Sequence, residues 1–134
     1  MSTPAPAHPP RRILLVEDNA VNADMLSRRL KRAGFTVDLA EDGLLAIERA
    51  GSGRPDLILM DVSLPQVDGL EATRRLKADA STKAIPIIIL TAHAMMSDRQ
   101  AALDAGCEEF ETKPVEFARL MEKIARLLDT GAKP

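Results

Sequence analysis

Aromatic residues are nearly missing from this chain: it has no Trp, no Tyr and only three Phe. A flavin sandwiched between aromatic rings has no partners here, and Glu17-Asp18-Asn19 is not the Ser/Thr/Gly-rich phosphate loop such a site needs. Cysteine is equally scarce. Cys107 stands alone, so no intrachain disulfide can form and a reducing compartment, the cytoplasm, is expected. Its neighbours carry no metal-ligand spacing, and free Cys is among the most buried residue types, so it reads as a small core residue. Neither sign of charge dominates: 18 basic against 20 acidic residues give a net charge of -2, with no electrostatic basis for binding nucleic acid or an anionic membrane. Residues 1–10, rich in Pro and Ala, have no apolar segment of the secretory type. They read as a disordered, polyproline-like tail in which His8 is inert.

What is present suffices for one domain. With 134 residues, 46% of them hydrophobic, the chain can build one real core and has no room for a second. The expected domain spans 11–130, with 131–134 as a C-terminal tail. Short apolar runs alternate with helical patterns five times. Ile13 to Val16 reads as a strand, and Asn19 caps a helix to Ala33 with Val21, Met25, Leu26 and Leu30 on one face. Phe35 to Leu39 alternates as an edge strand would. Asp42-Gly43 opens a second helix that Gly51-Ser52-Gly53 ends. Leu57 to Met60 is apolar on both faces, as a covered parallel strand should be. Asp68 and Glu71 form a capping-box pattern before Leu70, Thr73 and Leu76. Pro86 opens a fourth strand at Ile87. A helix from about Met95 ends before Gly106, and a short strand carries Phe110. Pro114 suits the first turn of a last helix striped by Phe117, Leu120, Met121, Ile124, Leu127 and Leu128. Such alternation predicts an α/β fold with five parallel strands and helices on both faces.

Four of the apolar runs end in polar groups of different kinds. Glu17-Asp18 follow the first strand, Asp61 ends the third, Thr91 follows the fourth, and Lys113-Pro114 follows the fifth. In parallel strands these ends share one sheet edge, where open α/β folds build ligand crevices. Three carboxylates meeting there repel: unit charges about 4 Å apart cost about 4 kcal/mol at an effective dielectric near 20. A divalent cation with oxygen ligands, Mg²⁺ above all, offsets that repulsion.

This ordered set resembles the receiver domain of two-component response regulators over roughly residues 11 to 130. The resemblance implies a flavodoxin-like (βα)5 sheet of order 2-1-3-4-5 with Asp18 and Asp61 at the switch point. It implies Asp61 as phosphoacceptor, and Mg²⁺ held by Asp18, Asp61 and the Ser63 carbonyl, with Glu17 acting through water. Thr91 and Lys113 would contact phosphoryl oxygens, Phe110 would be the rotating aromatic, and the Lys113-Pro114 bond would be cis. Ser63 and His93 would tune the phosphoryl lifetime. Met95-Met96 would pack inward or offer an adaptable partner surface, and Arg11-Arg12 and Arg28-Arg29 would be solvated charge.

On this resemblance the chain is a phospho-switch rather than an enzyme. It would be a single-domain response regulator fed by a histidine kinase or histidine phosphotransfer protein. Its downstream target would bind the face made by helix four, strand five and helix five, with homodimerisation left open. The intact Glu17-Asp18-Asn19 and Thr91-Ala92-His93-Ala94 segments look most like single-domain regulators and the receivers of hybrid kinases. A Mg-dependent aspartyl-phosphate phosphatase of the haloacid-dehalogenase type is an alternative, but needs an Asp-x-Asp pattern after strand one that Glu17-Asp18-Asn19 does not supply. A phosphorylation-independent scaffold normally lacks one of the acids or the Lys, and all are present here.

Overall fold

The structure, a computed structural model, describes residues 10–92 and 96–132. The tail expected over residues 1–10, save Pro10, and the readings made on His93 and Met95 lie outside the described residues. The strands are β1 (Arg12–Val16), β2 (Thr36–Ala40), β3 (Leu57–Asp61), β4 (Ile87–Thr91) and β5 (Glu109–Thr112). Between and after them run α1 (Ala20–Arg32), α2 (Gly43–Gly53), α3 (Gly69–Ala78), α4 (Met96–Ala105) and α5 (Phe117–Ala132). All pairings are parallel, in the order β2-β1-β3-β4-β5.

Strand alternation divides the core in two, because successive side chains point to opposite faces. On one face, Leu14 and Val16 of β1 join Ile58 and Met60 of β3 and Ile87 and Ile89 of β4 beneath α2, α3 and α4. On the other, Ile13, Leu15, Leu57, Leu59, Ile88 and Leu90 meet Leu30 of α1 and Leu120, Ile124 and Leu128 of α5. The central strand β3 is buried along its whole length. Each such Leu or Ile contributes about 1.5–3 kcal/mol, so the three inner strands are the rigid part of the domain.

Side-chain caps start three helices at the carboxyl edge of the sheet. Asn19 accepts a hydrogen bond from the Asn22 N–H at 3.0 Å, Asp42 from Leu45 at 2.8 Å, and Asp68 from Glu71 at 2.9 Å. The Asp68 cap is only half of the expected capping box. Glu71 turns instead to Arg74 and Arg75, at 3.0 and 3.1 Å. The glycine cluster 51–53 forms the last turn of α2, and Arg54 closes it in the left-handed region at φ 44°.

Two expectations need correction. Val21 and Met25 do not face the sheet: they are 66% and 60% exposed, and α1 packs through Ala23, Ser27 and Leu30. Two residues along a helix turn it about 200°, so the 21–25 and 23–27 pairs lie on nearly opposite sides. The small residues of the second pair allow α1 to approach the sheet closely. Pro114 is not in the first turn of α5, which starts at Phe117. Helix α5 runs to Ala132. The Lys113-Pro114 bond is cis, as expected.

Cys107 is buried at 7% exposure, and its thiol is pushed up to about 11, chiefly by burial and then by the charges of Glu108 and Glu109. The thiolate is the reactive form. Alkylation by iodoacetamide at pH 8 is therefore expected to run about a hundredfold slower in the native protein than in urea, since a free thiol ionises near pH 8.5. Equal rates, followed by intact mass, would show that Cys107 is accessible.

Candidate functional site

Strand order brings the polar ends together. Val16 is in register with Met60, so the next residues, Glu17 and Asp61, are neighbours across β1 and β3. Asp61 pairs with Leu90, one residue before Thr91, and Thr91 pairs with Thr112, one residue before Lys113. The Lys113 N–H donates to the Thr91 carbonyl at 2.7 Å. Each side chain thus projects from the last ladder position of its strand, or just beyond it.

Glu17, Asp18 and Asp61 offer carboxylate oxygens that all lie within 4.8 Å of one another. The Lys113 ammonium reaches two of the three, standing 3.1 Å from Asp61 Oδ2 and 3.1 Å from Glu17 Oε1. The acids differ in environment: Glu17 and Asp61 are buried, whereas Asp18 is exposed. Burial raises the Glu17 carboxyl above its ordinary value. The Asn19 N–H, donating at 3.2 Å, and the Lys113 ammonium work against that rise, and the Asp61 charge adds to it. Burial alone would lower the Lys113 ammonium, but its bonds to Asp61 and Glu17 outweigh that and raise it. Lys113 is therefore held charged.

The loop after β3 grips Asp61 from below. The Ser63 N–H donates to Asp61 Oδ1 at 3.3 Å, and the Gly69 N–H donates to the Val62 carbonyl at 2.9 Å. A Cβ at Gly69 would stand 2.1 Å from the Asp61 carbonyl oxygen, so only glycine lets α3 begin this close to the acid. Thr91 is buried at 4% exposure on the adjoining strand end. Phe110 is buried too, in the core beneath α4. The structure thus joins Glu17, Asp18, Asp61, Ser63 and Lys113 in one site and sets Thr91 and Phe110 on the strands beside it.

Sequence reasoning missed Arg29. It is exposed, as solvated charge should be, but its guanidinium also stacks 4.2 Å from the Phe117 ring centroid and lines a cavity of about 550 Å³ that reaches Glu17 and Lys113. Arg12 likewise pairs with Asp38 at 2.9 Å. No spacing rule links residues this far apart along the chain.

A doubly wound sheet with an acid cluster and a lysine at its switch point defines a class of phosphate-handling α/β domains. Residues 13–125 match the response regulator receiver domain, and the chain belongs to that family. It is 39% identical to the polar-differentiation response regulator DivK of Brucella anthropi over 119 residues, 89% of this chain and 97% of that one. It is 40% identical to response regulator MprA of Mycobacterium ulcerans, but spans only 50% of that protein. A similar solved structure is the receiver domain of sensor histidine kinase PA1611 from Pseudomonas aeruginosa PAO1, with a magnesium ion coordinated in its active-site cleft. It has TM-score 0.84 and 40% identity, covering 90% of this chain and 98% of that one. Another is a response regulator from Chloroflexus aurantiacus, with TM-score 0.85 and 32% identity, covering 90% and 98%. Among the described residues no helix is long and apolar enough to cross a membrane.

The donor set fits a hard divalent cation: three carboxylates, all oxygen, with one acid facing solvent. Asp18→Ala removes that exposed acid and leaves the Lys113–Asp61 pair in place. It is expected to weaken Mg²⁺ binding roughly tenfold or more, about 1.4 kcal/mol. Lys113→Ala is expected to leave Mg²⁺ affinity roughly intact, since no oxygen ligand is lost. Equal losses in the two variants, by calorimetric titration, would contradict this division.

Proposed function

We propose that the chain is a phospho-acceptor switch: Asp61 takes a phosphoryl group from a phosphohistidine of a histidine kinase or phosphotransfer protein, and the signal passes on as a phosphorylation-dependent protein–protein contact. The observation that carries this reading is the buried Asp61 carboxylate, 3.1 Å from a charged Lys113 and beside the Glu17-Asp18 pair. In the transfer, a carboxylate oxygen of Asp61 forms the new P–O bond while the P–N bond to the donor imidazole breaks. Positioning and charge neutralisation do most of the work, because the transferring group is metaphosphate-like and its equatorial oxygens carry the charge.

Lys113 would pair with one of those oxygens and the Thr91 hydroxyl with another. Asp18 and Asp61, the Ser63 carbonyl and Glu17 through water would hold Mg²⁺, which when bound neutralises charge on the phosphoryl group. The acyl phosphate adds close to two negative charges, which would draw Thr91 inward and let Phe110 follow. The donor would approach over α1, where exposed Met25 lines the cavity that reaches Glu17 and Lys113 and Val21 is exposed on the same helix. Output would use the α4–β5–α5 face; nucleic acid and membrane are not expected partners. Coverage of 97% of DivK supports a single-domain regulator, and the free, unpaired Cys107 supports a cytoplasmic one.

With Mg²⁺ and acetyl phosphate the protein is expected to gain one hydroxylamine-labile phosphoryl group, and Asp61→Asn to abolish it. Full labelling of the Asn variant by intact mass would move the acceptor elsewhere. An unlabelled native protein would favour a phosphorylation-independent scaffold.

His93, two residues past Thr91, and Ser63, two past Asp61, would set the phosphoryl lifetime. An imidazole can obstruct the in-line water, and a serine is too small to do so. His93→Ala is expected to shorten the lifetime roughly two- to tenfold, about 0.4 to 1.4 kcal/mol of barrier. A longer lifetime would mean that His93 helps position the water instead.

A further inference from the structure

We propose that Arg99 is the positioning residue through which the Phe110 ring acts on α4, while α5 stays fixed to β5. This rests on the reading of Phe110 as the switch aromatic. Two kinds of contact grip Phe110, one from each flanking helix. From α4, the Arg99 guanidinium lies over its ring, 5.5 Å from the centroid. From α5, the Lys123 ammonium donates to its backbone carbonyl at 2.6 Å.

The two grips differ in strength. Lys123 also bonds Glu111 at 2.9 Å, and Arg119 bonds the other Glu111 oxygen at 2.9 Å. Arg126 reaches Glu109 at 3.2 Å. Glu111 is only 3% exposed, so parting it from its cations would strand a buried charge. The backbone of β5 is therefore pinned to α5, and the freedom left to Phe110 is rotation of its side chain.

Among the described residues, the first turn of α4 has no comparable anchor. Met96, Ser97 and Arg99 are exposed, Asp98 is half-buried, and the first fully buried residue is Ala102. Arg99 over Phe110 is a cation–aromatic contact, which at an exposed site biases an equilibrium roughly two- to fivefold. A ring that turns loses or remakes that contact, so its movement is passed to the start of α4.

The scarcity of aromatics makes the test direct. Labelling with 4-fluorophenylalanine gives three fluorine resonances, from Phe35, Phe110 and Phe117, and Phe110→Leu assigns one of them. Native protein, Arg99→Gln and Arg99→Lys are compared with and without beryllofluoride and Mg²⁺, by fluorine resonance and by amide exchange. In native protein the Phe110 resonance and the exchange of α4 are expected to respond, and that of α5 to stay constant. Arg99→Gln is expected to shift the Phe110 resonance and reduce the α4 response about two- to fivefold, and Arg99→Lys to restore part of it. A full α4 response in Arg99→Gln, or an α5 response as large as that of α4, overturns the inference alone. Failure of the native protein to bind beryllofluoride overturns the reading of the site, and this inference with it.

Discussion

The Lys113 ammonium, shared between Glu17 and Asp61, is the interaction on which the rest of the site depends. Two buried carboxylates side by side repel by about 4 kcal/mol at 4 Å in a medium of effective dielectric 20, and Lys113 is the cation within 3.1 Å of both. Topology creates the repulsion. Because chain order reverses at β1, the ends of β1 and β3 become neighbours, and the acids that close them cannot avoid one another. The same topology supplies the remedy, since β5 ends at the same edge. The repulsion between the acids and the lysine that offsets it are two aspects of one arrangement.

The two faces of the sheet are covered differently, and the difference decides where movement is cheap. Helix α5 covers its face with Leu120, Ile124 and Leu128 and adds the Lys123 and Arg119 pairs to Glu111. Helix α4 buries only Ala102 and Ala105. Apolar area buried sets the cost of detachment, about 25 cal/mol per Å², so a helix packed through two alanines is held far less firmly than one packed through three large aliphatics. Elements with few buried apolar contacts open first.

Much of this was legible in the chain. Continuous apolar runs marked β1, β3 and β4, because inner strands covered on both faces need them, alternation marked the edge strand β2, and Asn19, Asp42 and Asp68 marked helix starts through their capping chemistry. The acid cluster was legible because each acid closes a strand. What failed had local causes. In α1 the larger Val21 and Met25 were read as the buried face, although close packing selected Ala23 and Ser27. Glu71 prefers Arg74 and Arg75, within one helical turn, to the cap it could have closed. Lys77 clamps Glu108 at 2.8 Å, but 31 residues separate them, and no periodicity announces such a pair. The same holds for Arg29 over Phe117. Long-range polar contacts are products of the fold, and patterns of 2.0 or 3.6 residues carry no trace of them.

The adjacent acids Glu17 and Asp18 divide the work of the pocket between them. Just past the end of β1 the two side chains part: Glu17 turns inward to Lys113 while Asp18 meets solvent. A cation arriving from water can engage Asp18 without first breaking the Glu17–Lys113 pair, so Lys113 need not be released for a metal to enter. A pocket of three equally buried acids would instead have to shed its lysine or take up protons before it could bind an ion. Keeping one acid wet and one paired lets the same edge remain stable when empty and accept a divalent cation when one is offered.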